Sequence, residues 1–234
     1  MSEFTLASFN ICSAHFREGK YSDDNLARLG ECIIQSGADV VCLQEVDRGA
    51  ARSNGVDMTA VLSDLTGLSY HYFIKIRNFQ GGEYGTAILS RYPILESATL
   101  NYPVQIATQG TSCGYVLLDV HGSSITVFNT HLSIENEESN TETLTCLAAV
   151  LKDHVSAGKG PFLCCGDFNT LPQKVAAYIP WVSLAHDGLT TYADRSIDHI
   201  LYVSPVRVEN TRTLNAQIDG VTDHNMVLTD VILN

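Results

Sequence analysis

Asp39-Val40-Val41-Cys42-Leu43-Gln44-Glu45 is an unbroken apolar run closed by an amide and an acid. Consecutive residues of an extended chain point to opposite faces, so a run apolar at every position has no face suited to water. The segment predicts a central strand covered on both sides. Phe162-Leu163-Cys164-Cys165-Gly166-Asp167-Phe168-Asn169 repeats the pattern, an apolar run and then an acid. Outward from these two runs, the β-branched and aromatic stretches predict strands at residues 5–12, 39–44, 70–76, 84–90, 94–100, 114–120, 124–131, 162–166, 197–203, 206–213 and 226–233. Helices are expected at 24–36, with Leu26, Leu29, Ile33 and Ile34 on one face, at 57–66, and at 141–156. Gly37, Gly67 and Gly158 stand where each helix should stop. Strand, helix, strand, hairpins, then strand, helix, strand describes two similar halves. So many strands exceed one comfortable open sheet, whereas two stacked sheets with helices outside give every strand a buried face.

The chain has 234 residues, 45% of them hydrophobic, which suits one domain over residues 1–234. No apolar run is long enough for a membrane span. The start, Met1-Ser2-Glu3-Phe4, lacks the basic residues of a secretory signal, so a cytoplasmic protein is expected. The 7 cysteines form no CxxC pair, and Cys12, Cys42, Cys164 and Cys165 lie in strand-like runs, as reduced core thiols would. The net charge of −12 argues against a general nucleic-acid binder. Arg48, Arg52, Lys75, Arg77 and Arg195 nevertheless lie near the acids discussed next, which suits an anionic substrate.

Acids do not gather at buried strand ends for stability, because an unpaired buried carboxylate is costly. A divalent cation removes that cost and supplies chemistry. Glu45 follows one buried run. Asp167 and Asn169 follow the other, two residues apart, so they face one side of an extended segment. Asp198 opens an apolar strand, and His224 precedes the last one. Neighbours on an extended chain diverge, so His224 is better paired with Asp198 than with Asp223. Such a dyad fixes the imidazole tautomer. Asn10 and His131 each close a strand; taken alone, either is an ordinary structural residue. No GxSxG, HExxH or GxxxxGK[ST] motif is present.

Together these segments resemble the endonuclease/exonuclease/phosphatase superfamily, the group around deoxyribonuclease I. The resemblance runs in order through Phe9-Asn10-Ile11, Gln44-Glu45-Val46, Tyr84-Gly85-Thr86-Ala87-Ile88-Leu89-Ser90-Arg91, Asn129-Thr130-His131-Leu132, Gly166-Asp167-Phe168-Asn169, Ser196-Ile197-Asp198-His199 and Thr222-Asp223-His224. It implies a four-layer α/β sandwich, with two mostly antiparallel mixed sheets flanked by helices, and water attack on a phosphoester assisted by Mg²⁺ or Mn²⁺. It implies Glu45, Asn10 and Asp223 at the metal. Asp167 would orient or deprotonate the water, Asn169 would help hold the phosphate, and His131 would be a second phosphate-binding or acid group. His224, oriented by Asp198, would donate to the phosphate or act as the base. Arg48, Arg52 and Tyr84 are expected to contact substrate.

Two departures bear on the substrate. Cys12 stands where many abasic-site endonucleases carry an acid, and Glu135-Asn136-Glu137-Glu138 follows soon after His131. A monomeric phosphodiesterase for a small or lipid-linked phosphoester is therefore expected. A nuclease is the alternative, and a non-catalytic binding domain is the third reading.

Overall fold

The structure is a computed structural model that describes residues 2–16 and 20–233. One sheet contains β1 (Ser2–Asn10), β2 (Val40–Arg48), β3 (Tyr70–Phe79), β4 (Gly82–Ser90), β11 (Arg207–Leu214) and β12 (Met226–Leu233), in the order β11-β12-β1-β2-β4-β3. The other contains β5 (Ile94–Asn101), β6 (Ser112–Val120), β7 (Ser123–His131), β8 (Phe162–Asp167), β9 (Ser183–Leu184) and β10 (Asp198–Tyr202), in the order β5-β6-β7-β8-β10-β9. Each sheet holds one parallel pair, β1–β2 and β7–β8, among otherwise antiparallel neighbours.

Helices α1 (Asp23–Ser36) and α2 (Met58–Thr66) cover the first sheet, and α3 (Glu137–Ser156) and α4 (Pro172–Tyr178) cover the second. The result is a four-layer α/β sandwich with three cores. Val41 and Leu43 face α1 and α2, while Val40 and Cys42 face the opposite sheet. Leu163 and Cys165 meet them there, and Phe162 and Cys164 face α3. Both runs are therefore buried on both faces. Each Val, Leu or Phe among them contributes about 1.5–3 kcal/mol by leaving water.

The helix ends follow local chemistry. Ser22 and Asp57 cap α1 and α2 by accepting from Asn25 and Ala60 amides. Helix α3 begins at Glu137, one turn before the expected 141, because Asn136 and Ser139 form a reciprocal capping box. Ile34, expected on the buried face of α1, is exposed; Leu26, Leu29, Gly30 and Ile33 form that face. Helix α4 and strand β9 were not expected, since seven and two residues give too little periodicity. Strand β1 stops at Asn10, not at Cys12, because Cys12, Ser13 and Ala14 turn away with φ of 47, 51 and 58°.

Candidate active site

At one end of the sandwich β1, β7 and β8 bring their final residues together. Asn10 ends β1, while His131 and Asp167 end β7 and β8 in register. His131 and Asp167 line a cleft of about 650 Å³ with Cys12, Glu45, Arg52, Arg77, Tyr84, Asn169, Tyr192, Arg195, Asp223 and His224, among others, and Asn10 is buried behind Asp167. One wall comes from the first sheet and the other from the second.

Glu45 lies inside β2, not at its end. The β2–β4 register slips between Leu43 and Val46, and Glu45 has φ of 56°. A bulge of this kind bends a strand and re-aims a side chain. A second slip, on β3 between Lys75 and Arg77, flanks the same part of β4. Gly85 sits between them, where a Cβ would collide with the carbonyl oxygen of Ile74. Glycine is needed there for close approach of the backbones.

Asp167 is buried at the centre of the polar groups. Its Oδ1 accepts from the Asn169 backbone amide at 2.9 Å, and its Oδ2 accepts from Asn10 Nδ2 at 3.0 Å. The Nε2 atoms of His131 and His224 stand 3.7 and 3.8 Å from the same Oδ2. Those two gaps exceed a hydrogen bond. Asp167 and Asn169 do share the cleft, but through a turn: Asn169 has φ of 50° and its Nδ2 donates to the Leu132 carbonyl.

His224 Nδ1 lies 3.0 Å from Asp198 Oδ2, so Nε2 is the nitrogen presented toward Asp167. Burial works against charge on this imidazole, but the carboxylates of Asp198, Asp167 and Asp223 prevail and lift its pKa to about 10. Burial raises the Asp198 carboxyl above its ordinary 3.8, and His224 opposes that shift. Thr191 braces the dyad, its hydroxyl accepting from the Ile197 and Asp198 amides. The Tyr192 ring lies 4.8 Å from that of His224.

Asn10 directs its amide group at Glu45 Oε1 (3.2 Å) as well as at Asp167, while its oxygen accepts from the Cys12 amide. The side chain, expected at the metal, joins two carboxylates as a donor. The Cys12 thiol lies 3.6 Å from Asp223 Oδ1. Burial raises its pKa, and the charges of Glu45 and Asp223 raise it further. Cys12, Asp223 and His224, and likewise Asp167, Asp198 and His224, bring potential ligand atoms within 4.8 Å of one another.

The expected substrate residues divide. Tyr84 and Arg52 line the cleft, but Arg52 is engaged by both oxygens of Asp47 at 2.7 and 2.8 Å and by Ser13. Arg48 does not line it; it pairs with Glu83 and lies over the Phe73 ring. Tyr192 and His15 also line the cleft, and nothing in their local sequence marks them. The Gln44–Asn129 pair had a readable signal, since each is an amide within an apolar strand. Gln44 Nε2 donates to Asn129 Oδ1 at 2.8 Å, and Asn129 donates to the Leu43 and Ala87 carbonyls, tying sheet to sheet.

Residues 7–224 match the Endonuclease/Exonuclease/phosphatase family. The chain belongs to this family. Phosphoester hydrolysis is the characteristic chemistry of the endonuclease/exonuclease/phosphatase family. No curated protein matches the chain by sequence. Solved structures share the fold. An endonuclease/exonuclease/phosphatase from Beutenbergia cavernae DSM 12333 is 21% identical with a TM-score of 0.79, over 100% of this chain and 72% of that one. Truncated TDP2 from Caenorhabditis elegans is 17% identical with a TM-score of 0.73, over 99% and 98%. A mannosyl-6-phosphatase from Bacteroides thetaiotaomicron VPI-5482 is 13% identical with a TM-score of 0.71, over 98% and 100%. No described helix is long and apolar enough to cross a membrane.

Proposed function

We propose that this endonuclease/exonuclease/phosphatase member is a divalent-metal-dependent phosphodiesterase for a small or lipid-linked phosphoester. The observation that carries the reading is the convergence on Asp167 Oδ2, where the Asn10 amide at 3.0 Å and two imidazole nitrogens at 3.7 and 3.8 Å surround one carboxylate oxygen. A carboxylate so fixed aligns a water and accepts its proton. Neither imidazole is hydrogen-bonded to Asp167 at these distances, so each can donate to a phosphate oxygen beside it. His224 donates from Nε2, because Asp198 occupies Nδ1. Asn169 holds Asp167 in place through its backbone amide and, with its own amide, flanks the phosphate.

The acids nearby fit a hard cation. Glu45 and Asp223 line the same cleft, and neither has an ion-pair partner among the described residues. Mg²⁺ and Mn²⁺ favour oxygen donors of this kind. Glu45 and Asp223 would hold the ion, with Asn10 steadying Glu45. When bound, the ion polarises the phosphate and offsets its charge.

The net charge of −12 supports a small substrate over a long polyanion. Assaying a phosphodiester panel beside supercoiled plasmid, with Mg²⁺ and with Glu45→Ala as control, tests this. The reading expects turnover of small diesters that Glu45→Ala abolishes. Plasmid nicking at low enzyme, abolished by the same substitution, would replace it with the nuclease reading.

A further inference from the structure

Among the described basic residues around the cleft, Arg195 is exposed without an ion pair, and Arg77 is half-buried with an unsatisfied nitrogen. Arg48 and Lys75 share Glu83, and Arg52 grips Asp47. Arg77 lines the cleft beside Tyr84 and His131, yet its Nε is buried with no acceptor and no described carboxylate pairs with it. Its guanidinium carbon lies 5.1 Å from the Phe79 ring centre and 5.1 Å from that of Tyr84. The rings cover the guanidinium in part, and its buried Nε has no oxygen partner.

The backbone puts it there. Lys75 and Arg77 are two apart, and in a regular strand would share a face. The inserted residue at Ile76 separates them, sending Lys75 to Glu83 and Arg77 into the cleft. A guanidinium cannot escape burial by losing its proton, and aromatic faces compensate it only in part. Its planar donors match the two oxygens of a phosphate or carboxylate.

We propose that Arg77 is a subsite for a second oxyanion, a phosphate or carboxylate carried on the same molecule as the scissile phosphoester. The proposal rests on the hydrolase reading and narrows its substrate class to small bis-anionic phosphoesters. Arg195, exposed on the rim of the same cleft, is placed to meet such a group as it enters.

Calorimetric titration of the magnesium-loaded protein tests it with three ligand series of increasing chain length: alkyl monophosphates, α,ω-alkane bisphosphates and ω-carboxyalkyl phosphates. The wild type should bind one bis-anionic ligand at least about tenfold tighter than the monophosphate of equal length, about 1.4 kcal/mol. The series that shows the advantage identifies the second oxyanion. Arg77→Met should bring the ratio close to unity while still binding monophosphate, and Arg77→Lys should keep part of it. Monophosphate binding with no advantage at any length, or an advantage that persists in Arg77→Met, would overturn the proposal alone. So would an Arg77→Met protein that is folded by circular dichroism yet binds no monophosphate. A wild type that binds no monophosphate and hydrolyses no diester would instead remove the hydrolase reading beneath it.

Discussion

Each oxygen of the Asp167 carboxylate has its own role in the geometry. Oδ1 is tied to the Asn169 amide, and Oδ2 faces the Asn10 amide and two histidines. Asp167→Asn keeps the shape and removes the proton acceptor. Its kcat should fall at least ~10²-fold with little change in KM, read by steady-state kinetics on a chromogenic diester. Asp198→Asn should lower turnover while leaving Mg²⁺ affinity unchanged by calorimetry; a matched loss of affinity would make Asp198 a metal ligand. These acids were legible in the sequence because a carboxylate beside an apolar run has few structural uses. The direction of the Asn10 amide was not, since it depends on residues 35 and 157 positions away.

Among the elements, β4 organises the cleft. The bulges on β2 and β3 bring Glu45 and Arg77 to it, and Gly85 lets β3 approach closely. Gly85→Ala forces a methyl group against the Ile74 carbonyl. It should destabilise the protein by roughly 1–3 kcal/mol, measured by urea denaturation. Neither bulge was legible, because one inserted residue leaves an apolar or alternating pattern almost unchanged. The runs at 40–43 and 162–165 were legible because burial on both faces requires every residue to be apolar. Strand β10 carries a second test in His199. Burial lowers its pKa to about 4, against the pull of the Thr170 carbonyl that its Nε2 meets at 2.9 Å. Between its ordinary 6.5 and that value, the unfolded chain binds a proton that the folded chain refuses. Stability should therefore decline as pH falls from 6.5 toward 4, and proton NMR should show His199 still neutral at about pH 5.

Across the whole molecule, the cleft is a seam. Asn10, Glu45, Asp223 and His224 belong to the first sheet or the chain leading into it, and His131, Asp167 and Asp198 belong to the second. The Gln44–Asn129 bond fixes the distance between the halves beside Glu45. Asn129→Leu removes the donors to the Leu43 and Ala87 carbonyls and the link to Gln44, whose amide keeps Ser8 and the Cys42 carbonyl. It should cost about 1–3 kcal/mol for each group left unpaired and reduce kcat along with the melting temperature. The two-sheet plan was legible from strand number and burial, whereas the substrate was not, because the cleft rim is built from loops whose residues meet only on folding. The most direct test of the central claim is the initial rate of bis(p-nitrophenyl) phosphate hydrolysis by chelator-stripped wild type and Glu45→Gln across a Mg²⁺ titration. Without the ion there should be no hydrolysis, with saturable recovery in the wild type and a recovery in Glu45→Gln that is absent or shifted to far higher Mg²⁺. Hydrolysis independent of added metal, or a Glu45→Gln curve that overlays the wild type, would contradict the claim.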